Sequence, residues 1–499
     1  MIHTKSIFLS LVILLILNPC SSIQAFTWAP YNPTIHYNFK DEYPNISKPL
    51  RDLDDCSGVV GSIQSEWWTF KWGPNKRSLV DSAAVLAMLQ RMDTDFAYFR
   101  DSLGWPPDRR AKEGYKSAIY LYGSGLCTDK QDSNALGGWQ SSIYSNGKHY
   151  PMVLISYYPV YAFSPKAKIS DKAYQRGAVV HEGIHSVLAD LPGCKKAAWF
   201  HEGGNTWLQQ EADTRRSGNY NGMGFLNVAS FLAPFMPIEC YSGWLQDGSF
   251  GGPSAEGVNL YRDGKQICTW RNLLGGVQYS NVFPTFLGLT LGSGSIAWIW
   301  RNCPDRVLEG MAKQLGETQI RRLIYEYRAK QALVDFGPWS KNLKQLIHSN
   351  MGTTIQSEWK PFLKEVKPWK ATPYVYTNLE NGWLVPDSTT LPGWSGSNQI
   401  PFTTKGKKVE IEFVPQSSNM ICQLAYRNAK GDCVYSTPVE KGICRMELKD
   451  AQTNQVVIAV ITNTDYIYQG EKTRKAKYGY RIRLKKGIVQ TADIHQTWF

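Results

Sequence analysis

The 499-residue chain reads as an α+β protein: a larger region of helices and buried strands, followed by a small antiparallel β-sandwich. Three observations predict this. Apolar residues recur at helical spacing in several stretches before residue 370. Short continuous apolar runs at 118–122 and 152–158 lie among those stretches and read as buried strands. Beyond Trp383 the texture changes to short alternating segments divided by turn residues, the pattern of a sandwich.

The first 25 residues read as a signal peptide. Lys5 supplies a basic start, residues 7–17 form an apolar run, Asn18-Pro19 breaks it, and Ile23-Gln24-Ala25 offers a small-residue cleavage site. The run is too short to span a bilayer. Cys20 as a lipid anchor fits poorly, because Pro19 stands where a small residue is usual. Export to the periplasm, cell surface or medium follows. No later stretch is apolar enough to cross a membrane, and residues 225–238 read as a buried element.

Residues 26 to about 75, rich in Pro, Trp and Asn, read as an irregular arm. Residues 79–103 have helical spacing, with Ala83, Leu86, Leu89, Met92, Phe96 and Phe99 largely on one side. Residues 134–139 (Asn134 to Trp139) suit a surface turn better than a substrate-binding edge strand. Residues 173–188 and 198–211 form two helices separated by a stop at Leu191-Pro192-Gly193. The stretch 281–366 reads as mainly helical, most clearly at 304–314 and 318–331. Residues 386–401, rich in Pro, Gly, Ser and Thr, read as a linker or opening loop. Strands follow at 409–414, 420–426, 433–436, 444–448, 456–462 and 478–484. The expected organisation is therefore a region 26–385, its α/β part reaching to about 190, and a sandwich at 386–499.

Composition narrows the function. With 43% apolar and 19% charged residues the chain is neither disordered nor fibrous. Its 18 Trp, 27 Tyr and 19 Phe serve a large core or a surface that holds peptide or sugar. The net charge of +13 is widely spread, and no nucleic-acid motif accompanies it. The basic stretch 472–486 reads as a solvated surface, with acidic glycan as a weaker alternative. The nine cysteines after Cys20 are odd in number and include no Cys-x-x-Cys pair; export permits disulfides, free buried thiols are an option beside them, and connectivity stays unassigned.

The chemistry sits at 181–211. His181-Glu182-Gly183-Ile184-His185 is an H-E-x-x-H motif within a helical segment, and its i, i+4 spacing puts both imidazoles on one face, where they can share a metal. Glu182 lies about 100° around the helix from His181, placed to serve as general base rather than ligand. Zn2+ is the default ion for two imidazoles, a carboxylate and an open fourth position. It would activate water toward neutral pH, with Glu182 taking the proton. For the third ligand, residue spacing allows Glu202, His201, Glu211 or Asp190. Leu191 stands where a metzincin would carry its third His.

At Trp199-Phe200-His201-Glu202-Gly203 the chain resembles the gluzincin zinc metallopeptidases, whose second helix supplies a Glu ligand. The resemblance extends to uncharacterised bacterial secreted proteins with this motif and a C-terminal sandwich. It implies His181, His185 and Glu202 as zinc ligands, Glu182 as base, and an oxyanion donor from a later Tyr or His. Tyr279 and Tyr241 are the candidates for that donor, with His348 behind them. Asn205, at i+3 from Glu202, would support a ligand or merely pack. The connection from His185 to Glu202 is short for that family and requires a tight turn. The expected function is an exported zinc metallopeptidase acting on proteins, peptides or glycoproteins. The alternative is a secreted glycan-binding protein with a structural or degenerate zinc site.

Overall fold

The computed structural model describes residues 46, 48–129, 137–223, 227, 230–231, 234–239, 259–262, 265–269, 280–351, 376–380, 382–386, 391–469 and 478–491. It is a mixed α and β protein with several sheets.

The first sheet holds β1 (Gly61–Gln64), β2 (Trp68–Trp72), β3 (Ser117–Leu121), β4 (Gly138–Ser145) and β5 (Lys148–Ile155) in the order β1-β2-β3-β5-β4. The three inner strands run parallel, and the two outer strands run antiparallel to their neighbours. Inner strands with both faces covered read as unbroken apolar runs, as β3 and β5 do. The arm expected to be irregular thus contributes β1 and β2. Trp68 and Phe70 are buried in the sheet, and their Trp- and Lys-rich surroundings hid the pattern.

Helix α1 (Ser82–Asp101) begins at Asp81, whose carboxylate accepts from the Ala84 N–H at 2.8 Å. It buries Ala84, Val85, Met88, Leu89, Met92, Phe96 and Phe99. Ala83 and Leu86, expected on that side, face solvent instead, with Leu86 54% exposed. Short helices α2 (Arg109–Lys112) and α3 (Tyr157–Tyr161) follow. The latter corrects the expected strand to 158: β5 ends at Ile155, and Ser156, still extended at φ -73° and ψ 170°, is the N-cap from which the chain turns into the helix.

Helices α4 (Lys172–Leu188) and α5 (Ala198–Ser217) pack on each other, and α4 also lies on β4 and β5. The second outruns the expected end at 211 by more than a turn and stops at Gly218, left-handed at φ 68°. A hairpin, β6 (Asn259–Arg262) and β7 (Lys265–Thr269), precedes α6 (Val282–Leu291), α7 (Ser295–Asn302), α8 (Val307–Leu315), α9 (Glu317–Leu333) and α10 (Ser340–Met351). No single helix among the described residues is long and apolar enough to cross a membrane; α6 and α7 pass that test only as a pair, bent by 106°. Most of their side chains lie in the core, including Phe283, Phe286, Ile296 and Trp300.

The C-terminal strands form two facing five-stranded sheets. One has the order β13-β12-β15-β10-β17, from β10 (Ser397–Thr404), β12 (Met420–Arg427), β13 (Cys433–Tyr435), β15 (Val456–Asn463) and β17 (Ile488–Thr491). The other has the order β14-β11-β16-β9-β8, from β8 (Tyr376–Glu380), β9 (Trp383–Pro386), β11 (Lys408–Pro415), β14 (Gly442–Glu447) and β16 (Tyr480–Lys486). Val409, Ile411, Phe413, Leu424, Val457 and Ile482 fill the space between them. Two strands therefore lie upstream of residue 386. The stretch expected as a linker ends in β10, a central strand. Pro401 fits there because β17 pairs only from Phe402 onward, so no partner needs its missing N–H.

Helix α9 packs on β12 and β15. The entry to β10 is stitched to the helical region: Ser397 N–H donates to Pro234 O and Gly393 N–H to Phe235 O. The buried Arg328 donates to Ser395 O at 2.8 Å and Met236 O at 2.7 Å. A Cβ on Gly396 would lie 2.3 Å from Phe235 O, so only glycine allows this approach.

Candidate metal centre

The site is assembled by two helices and one edge strand. Glycines set the spacing of α4. A Cβ on Gly183, the middle of the motif, would strike Met92 and Phe96 of α1, and one on Gly177 would strike Gln209 of α5. The apolar side of α4 (Val179, Val180, Ile184, Val187 and Leu188) is buried, which leaves the histidine side facing α5.

His181 and His185 stack edge to face with ring centroids 4.8 Å apart. Glu202 Oε2 lies 3.2 Å from His181 Nε2 and 3.6 Å from His185 Nε2. One donor atom from each of the three residues falls within 4.8 Å of the others. For a tetrahedral zinc with ligands at about 2.0–2.1 Å, donors stand roughly 3.3 Å apart, so the set fits that ion. The side chains retain 17%, 15% and 27% exposure, leaving the cluster open to solvent on one side.

The two carboxylates are pushed in opposite directions. Burial acts to raise Glu202, but its hydrogen bonds to His181 and His185 outweigh it and bring the carboxyl down to about 2. Glu182 is pushed up to about 7, chiefly by burial, with the Glu202 charge adding and His185 opposing. The backbone N–H of Gln140 in β4 also acts to lower it. A Cβ on Gly138 would stand 3.2 Å from Glu182 Cγ. Trp139 of the same strand lies edge to face on Tyr122 at 4.7 Å. Gly138 and Trp139, expected in a turn, thus begin the sheet's edge strand beside Glu182; residues 134–136 lie outside the described residues.

Asn205 Nδ2 donates to His181 O at 2.8 Å, tying α5 to the turn of α4 that carries the first imidazole. The three rivals for third ligand sit elsewhere. His201 Nε2 meets Cys194 O at 3.2 Å, and its ring packs on Trp300 at 4.6 Å; burial lowers its pKa. Asp190 pairs with Arg109 at 3.1 Å. Glu211 lies farther along α5, and burial alone pushes its carboxyl up to about 7. Tyr241 and Tyr279 lie outside the described residues, as does the side chain of His348.

Sequence reasoning missed Gln140, and it missed Trp300 and Cys303, which hold the turn before α5. A usable signal was Pro192-Gly193: a Cβ on Gly193 would lie 2.2 Å from Trp300 O. The disulfide Cys56–Cys127, across a 71-residue separation, supplies a pairing that the sequence left unassigned.

No protein-family model matches the chain, and no curated protein is significantly similar to it.

Proposed function

We propose that the protein is an exported zinc-dependent peptidase of gluzincin type, hydrolysing peptide bonds of proteins, peptides or glycoproteins. The observation that carries this reading is the convergence of His181, His185 and Glu202, with Glu182 held to one side against β4. The three donors would hold Zn2+, which supplies Lewis acidity that brings water toward neutral ionisation. Glu182, its carboxyl near 7, can take a proton at neutral pH and return it to the leaving amine. Glu202 stays ionised as a ligand must. Among the described residues β4 is the outer strand of its sheet, along whose free side an extended substrate backbone can add.

A structural zinc in a glycan-binding protein would call for four protein ligands. Among the described residues three converge, and this favours the peptidase reading. In this reading residues 26–385 carry the activity, residues 386–499 are accessory, and neither nucleic acid nor a membrane span is involved. The test is Glu182→Gln assayed for both zinc content and peptide hydrolysis. Zinc should remain while hydrolysis falls at least 100-fold. Loss of zinc in this variant would make Glu182 a ligand and reject the assignment of roles.

A further inference from the structure

The turn between the two ligand-bearing helices is pinned to the end of α7 and the residues after it. Gly193 N–H donates to Trp300 O at 2.7 Å, Cys194 N–H to Cys303 O at 2.8 Å, and Lys196 N–H to Asp305 O at 2.8 Å. Cys194 and Cys303 are both fully buried. The Cys194 sulfur stands 4.0 Å from Ile299 O, the carbonyl to which Cys303 N–H also donates. The two thiols are unbonded in the structure, but residues joined by a direct backbone bond commonly stand with Cα atoms roughly 5–6 Å apart, inside the window that a disulfide spans. The chain already closes Cys56–Cys127, and such bonds persist in oxidising compartments.

We infer that Cys194 and Cys303 form a disulfide in the exported protein, fastening the turn that delivers Glu202 to His181 and His185. The bond rests on the proposed export but not on the zinc reading; its consequence for the site rests on both. The oxidant is a disulfide donor of the export compartment. One cysteine thiolate attacks a donor sulfur and releases the first donor thiol. The second thiolate then attacks the mixed disulfide and releases the other. One S–S bond forms, the donor bond is reduced to two thiols, and the two cysteine protons end on them. Burial pushes the Cys303 thiol up to about 12 and the Cys194 thiol well above its usual range, so thiolate is scarce once the fold is complete. Closure therefore belongs to folding, before the turn is covered.

The test uses the full chain exported into an oxidising compartment, denatured with an alkylating reagent but no reductant, then digested and weighed. A peptide pair linking Cys194 to Cys303, lighter by two hydrogens than its separate halves and split by reductant, is expected. Alkylation of both cysteines without reductant, or a link from either to another cysteine, overturns the inference. Zinc titration of the Cys194→Ser/Cys303→Ser variant should show roughly tenfold weaker binding, the scale of a lost ligand support. Unchanged affinity alongside an intact link in the parent overturns the fastening role. A linked protein that binds no zinc overturns the zinc reading and leaves the link standing.

Discussion

The region around His181 and the interior of the sandwich place opposite demands on their residues. At the centre of the first, two imidazoles and the Glu202 carboxylate sit partly open to solvent, converging on one point from two helices, with Glu182 to one side. At the centre of the second, alternating residues such as Val409, Ile411 and Phe413 are completely buried, with no polar task. The sandwich gains stability from apolar area, which is non-directional. The candidate metal centre needs direction, and it obtains it from glycines that bring backbones close, a cross-helix hydrogen bond from Asn205 and a pinned turn. Disturbing either region should therefore be visible in a different measurement.

The largest effect is expected at the ligands. His181→Ala or Glu202→Ala should abolish hydrolysis and weaken zinc binding severely, because each removes a bond to the ion. His201→Ala should cost at most roughly 10–100-fold, since His201 meets Cys194 O and Trp300 rather than the donor cluster. Zinc titration of the variants at one pH ranks them, and a reversed order would break the gluzincin assignment.

Next comes removal of the sandwich. The sequence alone suggests that a chain ending near residue 386 folds by itself. The stitching of residues 393–397 to residues 234–236 and Arg328 predicts the contrary. Such a truncation should lose cooperative thermal unfolding. A soluble, cooperatively melting fragment would show the two regions to be independent.

A smaller effect separates them more finely. Ile411→Ala should destabilise the sandwich by about 2–5 kcal/mol in denaturant unfolding, with zinc affinity unchanged below the transition. An accompanying shift in zinc affinity would show that the sandwich core sets the donor geometry.

The smallest effect concerns pH. Glu239 is buried, with Oε1 accepting from the Leu308 N–H at 2.7 Å at the start of α8. Burial pushes its carboxyl from 4.5 up to about 7. The folded protein thus holds this proton more tightly than the unfolded chain. The associated stability is fully present below pH ~4.5 and is lost as pH rises through ~7, by on the order of 2–3 kcal/mol. Glu239→Gln should flatten that slope between pH 5 and 8, as read from denaturant midpoints. An unchanged slope would place the titration in another group.

Local pattern made the two imidazoles, Glu182 and the sandwich strands readable, because i, i+4 spacing and two-residue alternation are properties of a short segment. Helices α4, α8 and α9 were found within a few residues for the same reason. That Glu202 rather than His201 lies beside the two imidazoles was legible only by resemblance: two adjacent helical residues diverge by about 100°, and what rotates one inward lies elsewhere in the chain. Trp300, Cys303 and Asp305, more than a hundred residues away, hold that turn. Tertiary structure alone likewise decided that residues 61–72 join a sheet, that Cys56 meets Cys127, and that β4 runs beside Glu182. Each of these is a pairing between distant segments, and its partner leaves no periodicity in the sequence around either residue.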